Sequence, residues 1–153
     1  MSDEKIDRSS WGKGPWDHEE LDKVIWVDQV TNLDCMMVRN SLGAWCGYVG
    51  VPSSHFDHGS NYNGLDYEVH GGLTFSESAL RVTSHVPVAG RPQNLWWLGF
   101  DCSHSFDRLP YDFGGFASQG AYRTMGYVML EVGKLAKQVK ENEHGGPKAH
   151  LVL

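Results

Sequence analysis

The chain has 153 residues, 41% of them hydrophobic, 12% aromatic and 21% charged, with 13 basic against 19 acidic residues for a formal net charge of −6. That length suits one domain around one core, and the hydrophobic content excludes intrinsic disorder. The acidic balance argues against duplex nucleic acid as a partner, because binding a duplex takes a basic face that displaces counterions.

The first residues, MSDEKIDRSS, are polar where an export signal carries an apolar core, and no apolar run approaches the roughly 18–20 residues of a membrane helix. A cytoplasmic protein that does not use the membrane is expected. Residues 1–15 read as an extended arm. A short helix is expected after Pro15, over 17–21, and a strand over 24–27, where Val24, Ile25, Trp26 and Val27 are β-branched or aromatic.

Residues 34–51 form the strongest strand signal: two alternating apolar runs, DCMMVR and AWCGYVGV, flank the turn-like Asn40-Ser41-Leu42-Gly43. With Arg39 opposite Ala44, Met37 and Cys35 share one face with Cys46 and Tyr48, and Val38, Met36, Trp45 and Val49 take the other. Both faces are apolar, which places this hairpin centrally in the sheet.

Residues 52–66 are a long polar loop, followed by a third strand over 65–75 that Gly71-Gly72 interrupts, a fourth over 80–86 and a very apolar fifth over 95–101. A second long loop covers 103–120. The clearest helix follows, since Tyr122, Met125, Met129, Val132, Leu135, Ala136 and Val139 recur every three or four residues. The fold expected is α+β: a mostly antiparallel sheet of about five strands with a long C-terminal helix packed on one face. Residues 16–141 make the single domain, and 142–153 are a tail, of which Ala149 to Leu153 is either disordered or a small strand docked on a neighbouring copy of the chain.

Eight histidines are a surplus, and several fall with aspartates in the two loops and the strand ends beside them. His55, Asp57 and His58 lie in the first loop, His70 precedes Gly71-Gly72, and the fifth strand runs into Asp101, Cys102, Ser103, His104 and Asp107. Two chemistries suit them. Glycines at 71 and 72 can turn backbone N–H groups toward an anion. With His55, His58, His70, Gly71, Gly72, Thr74 and a stackable Trp97, that gives a ligand-binding set. Alternatively, His70, Asp101 and His104 supply the two imidazoles and one carboxylate that hold zinc or manganese with an open position for water. No HExxH, CxxC, P-loop or GxGxxG stands in the chain. The cysteines, Cys35, Cys46 and Cys102, are odd in number and widely spaced, as reduced buried thiols are. A nucleophilic role for Cys46 or Cys102, with His70 or His104 as base, is the least favoured alternative.

The strings LDCMMVRNSLGAWCGYVGVP, VHGGLTF and WWLGFDCSHSFD, with GPWDHEELDKVIWVD before them, resemble a family of small uncharacterised proteins of bacteriophage and bacterial (prophage) genomes. The resemblance covers about residues 14–107 and the final helix. It implies a phage or prophage setting and brings no activity with it. The interval between Phe75 and Arg91 is shorter here than in that family's pattern.

Three functions follow as expectations. The first is a phage-type accessory protein binding a small anionic, nucleotide-like ligand and sequestering it from host defence signalling. The second is a metal-dependent hydrolase at His70, Asp101 and His104, with Asp107 or His58 carrying the proton. The third is an acidic protein inhibitor of a host enzyme.

Overall fold

The computed structural model describes residues 6–78, 89–113 and 119–145. It shows an α+β fold. Five strands, β1 (Lys23–Val27), β2 (Asp34–Arg39), β3 (Trp45–Val51), β4 (Phe75–Glu77) and β5 (Trp96–Asp101), form one sheet in the order β1-β2-β3-β5-β4. Every neighbouring pair is antiparallel. One helix, α1 (Met125–Glu141), packs on β2 and β3.

The hairpin is central, as its two apolar faces require, and its register differs by one residue from the expected one. Arg39 pairs with Trp45, Met37 with Gly47 and Cys35 with Val49. The loop is five residues long because the Asn40 side-chain oxygen accepts from both Leu42 N–H and Ala44 N–H, and Asn40 N–H bonds the Ala44 carbonyl. A one-residue slip moves side chains between faces. Cys35, Met37, Trp45 and Val49 therefore lie on the helix side, and Met36, Cys46 and Tyr48 on the other.

Helix α1 buries Val128, Val132, Leu135, Ala136 and Val139 completely against the sheet. Each larger side chain contributes about 1.5–3 kcal/mol by leaving water. Met129, expected on that stripe, is exposed. Thr124 caps the helix by accepting from Tyr127 N–H, so Tyr122 precedes it. The helix approaches the sheet closely at Gly47, where a Cβ would meet Val132 and Phe100 at 2.6 Å.

The third strand expected over 65–75 is a strand only from Phe75. Residues 68–70 instead bond to the helix: Gln138 accepts from Glu68 N–H and donates to its carbonyl, and Glu131 accepts from His70 N–H. Glu131 and Gln138 are seven residues apart, two turns along one face. The strand expected over 80–86 lies outside the described residues, as does the tail beyond 145.

The segment before β1 is fastened through a buried ionic cluster, in which Arg8 from the arm also donates to Asp22. Arg39 donates to Asp22, Glu19, the Gly43 carbonyl and the Tyr122 hydroxyl, with its guanidinium 4.3 Å from the Trp45 ring and 5.2 Å from the Trp11 ring. Glu19 also accepts from Trp45 Nε1 and from Met125 N–H at the helix start. The last contact places a carboxylate on the positive end of the helix dipole.

Candidate functional site

The loop after β5 and the approach to α1 run side by side, joined by Ala121 N–H to the Phe106 carbonyl and Arg108 N–H to the Ala121 carbonyl. That pairing puts Asp107 beside Arg123. Asp107 is 1% exposed and accepts from His70 Nε2 (2.9 and 3.0 Å), Arg123 Nε (2.8 Å) and His104 N–H (3.0 Å). Burial alone would raise its pKa; the hydrogen bonds from His70, Arg123 and His104 outweigh burial and hold the carboxyl below its usual range.

His70 presents its other nitrogen, Nδ1, to the Tyr127 hydroxyl at 2.8 Å. Arg123, Asp107, His70 and Tyr127 thus form one hydrogen-bonded chain. Burial, with the Glu131 charge adding to it, lifts the Tyr127 phenol above its ordinary pKa, so the hydroxyl keeps its proton.

The turn from Val69 to Gly72 is closed by Gly72 N–H to the Val69 carbonyl, with Gly71 at φ +68°. Glycine is required there twice over: that conformation strains L residues, and a Cβ would lie 2.1 Å from His104 Nε2. The His104 ring stacks on Phe106, centroids 5.3 Å apart and planes 5° from parallel, and stands 5.9 Å from the His70 ring. His104 Nε2 is buried and makes no hydrogen bond; the Asp101 carboxylate is 3.7 Å away. Arg123 spends Nε on Asp107, and its two terminal nitrogens make no hydrogen bond among the described residues. The Phe106 ring, 47% exposed, completes this face.

Next to it, about 410 Å³ of open space is lined by Tyr48, Phe75, Asn40, Thr74, Asp101 and Ser103, among others. Tyr48 and Phe75 meet edge to face at 5.2 Å. Asp101 accepts from Thr74 Oγ1 (2.9 Å) and Ser103 N–H (3.0 Å).

The structure brings His70, Gly71, Gly72, Thr74, Asp101, His104 and Asp107 into one neighbourhood. The remaining ligand-set residues lie elsewhere. His55 is buried, its Nε2 2.6 Å from the Val139 carbonyl and its Nδ1 accepting from Asp57 N–H, so it caps the end of α1. His58 bonds the Asn94 carbonyl, and Trp97 is buried on the sheet face away from the helix. In the expected anion nest, the N–H groups of His70, Gly72 and Thr74 are taken by Glu131, Val69 and Gly99. The set proposed for zinc or manganese is drawn close without being free to ligate, since both His70 nitrogens are engaged. Among the described residues no three His, Cys, Asp or Glu side chains are placed to hold a metal. Burial pushes the Cys35 and Cys46 thiols up to about 12 and the Cys102 thiol also upward, so none is an activated nucleophile.

Two partners in the site had gone unmarked in the sequence: Arg123 and Tyr127. Their signal is positional, since both flank the cap Thr124 at the start of the helix. Comparison with protein-family models, curated proteins and solved structures found no match to the chain.

Proposed function

We propose that the protein binds a small anionic, nucleotide-like ligand on the face made by His104, Phe106 and Arg123. The observation that carries the proposal is His104 Nε2, buried without a hydrogen bond, on a ring stacked against Phe106. The Phe106 ring also lies 5.7 Å from the Arg123 guanidinium, whose two terminal nitrogens make no hydrogen bond among the described residues. A buried polar atom left unpaired costs about 1–3 kcal/mol, and the His104 side chain, 24% exposed, recovers that cost by turning its Nε2 outward to a phosphate oxygen. Phe106 adds an exposed ring for stacking. In the phage setting that the sequence resemblance implies, such a protein sequesters the ligand from host defence signalling. Titration calorimetry with nucleoside monophosphates, cyclic nucleotides and inorganic phosphate tests this. Binding that His104→Ala and Arg123→Gln each weaken by roughly tenfold supports it. No heat from any of these probes with folded protein overturns it.

A second reading rests on the chain from Asp107 through His70 to Tyr127. A carboxylate that orients an imidazole, which in turn meets a hydroxyl, is the arrangement of acid–base catalysis. On this reading Tyr127 takes a proton from a bound substrate as it passes its own to His70 Nδ1, and Asp107 stabilises the imidazolium that forms. Turnover of a bound nucleotide that Tyr127→Phe abolishes without loss of binding supports it, and unchanged nucleotide after prolonged incubation removes it.

A further inference from the structure

We infer that the open space beside Asp101 is a ribose subsite, with the Asp101 carboxylate accepting the two vicinal hydroxyls of a ribonucleotide. The inference rests on the anionic site proposed above and names the class of ligand that site takes. The polar groups around Asp101 are already arranged. Thr74 Oγ1 donates to Asp101 Oδ2 and Ser103 N–H to Oδ1, which holds the carboxylate in one orientation. Each carboxylate oxygen has two acceptor positions, so one on each oxygen remains. The side chain is 30% exposed and can be reached.

Two hydroxyls on adjacent carbons present two donors at the spacing of two carboxylate oxygens, whereas a 2′-deoxyribose presents one. The neighbouring rings of Tyr48 and Phe75 supply apolar surface for a sugar or base, and about 410 Å³ falls within the range of small-molecule sites. Asp101, which lines this space, has its Oδ1 3.7 Å from His104 Nε2 and so joins the space to the anionic site. A diol on Asp101 and a phosphate toward His104 and Arg123 is the order in which one nucleotide carries these groups. The negative charge of Asp101 also disfavours a phosphate in the diol position and so sets the direction of binding.

Calorimetric titrations with AMP and UMP against their 2′-deoxy counterparts test the subsite on the unaltered protein. Ribonucleotides are expected to bind roughly tenfold more tightly, the worth of one hydrogen bond to a charged acceptor. Asp101→Asn is expected to remove that preference while leaving the effect of Arg123→Gln in place. If Asp101→Asn does not fold, Asp101→Glu, which keeps the charge and displaces the carboxylate, serves the same purpose. Equal affinity for ribo and deoxy forms, with binding still dependent on Arg123, overturns the ribose subsite and leaves the anionic site standing. Absence of binding by every nucleotide overturns both.

Discussion

His70 Nε2 stands 2.9 and 3.0 Å from the two carboxylate oxygens of Asp107, a contact that ties the segment before Gly71 to the loop after β5. Arg123 bonds the same carboxylate and Tyr127 the same imidazole, so four residues from three parts of the chain share one network. Neither His70 nor Asp107 is left to move independently, and the adjacent His104–Phe106 stack is built on that rigidity.

Asp107→Ala is therefore expected to lower stability by about 2–3 kcal/mol. Breaking a buried pair costs roughly 3–5 kcal/mol, and the partial exposure of Arg123 reduces that. Urea denaturation followed by tryptophan fluorescence measures it, and a loss below about 1 kcal/mol would contradict the network's structural weight.

The pH dependence has a definite sign. The carboxyls of Asp107 and Glu19 are both held below their ordinary values. In Glu19 burial works upward and is outweighed by hydrogen bonds from Met125 N–H, Tyr122, Trp45 and Arg39. A depressed folded-state pKa contributes stability in full above the unfolded value, about 4, which is lost as pH falls through the folded value. Urea midpoints should hold near neutrality and drop below about pH 4. The Glu19→Gln and Asp107→Asn double variant should show a shallower acid limb; an unchanged limb would assign acid sensitivity to other groups.

Gly71→Ala is expected to do two things at once. The left-handed backbone costs about 1–2 kcal/mol for an L residue, and the new Cβ drives His104 from its place. Stability should fall by at least that amount and nucleotide affinity should fall with it. Full retention of both would show that the turn can relax without disturbing His104.

Thiol reactivity gives a simpler check. Cys35 and Cys46, raised to about 12, and Cys102, raised as well, carry almost no thiolate at pH 8. Ellman's reagent should react slowly with native protein and promptly with all three thiols in denaturant. A fast native thiol would contradict their burial.

The period of α1 and the apolar runs of β2, β3 and β5 were legible in the sequence, because helical spacing and strand-length apolar runs mark segments that are buried. The hairpin register was not, since it depends on Asn40 closing the loop at Ala44. The strand expected over 65–75 failed for a related reason: Gln138 and Glu131 satisfy the backbone of Glu68 and His70, a role invisible in local propensity. His70, Asp101, His104 and Asp107 stood out by residue type beside strand ends. Arg123 and Tyr127 did not, because a charge and a ring before and within a first helical turn resemble ordinary helix surface. His55 misled, as a capping imidazole looks the same in sequence as a ligand.

The central claim is that an anionic ligand meets His104 Nε2. Side-chain nitrogen NMR of the histidines during titration with AMP tests it most directly. The account predicts that the His104 Nε2 resonance shifts saturably with AMP while the capping His55 signals stay fixed. AMP that leaves His104 unperturbed at saturating concentration would contradict it.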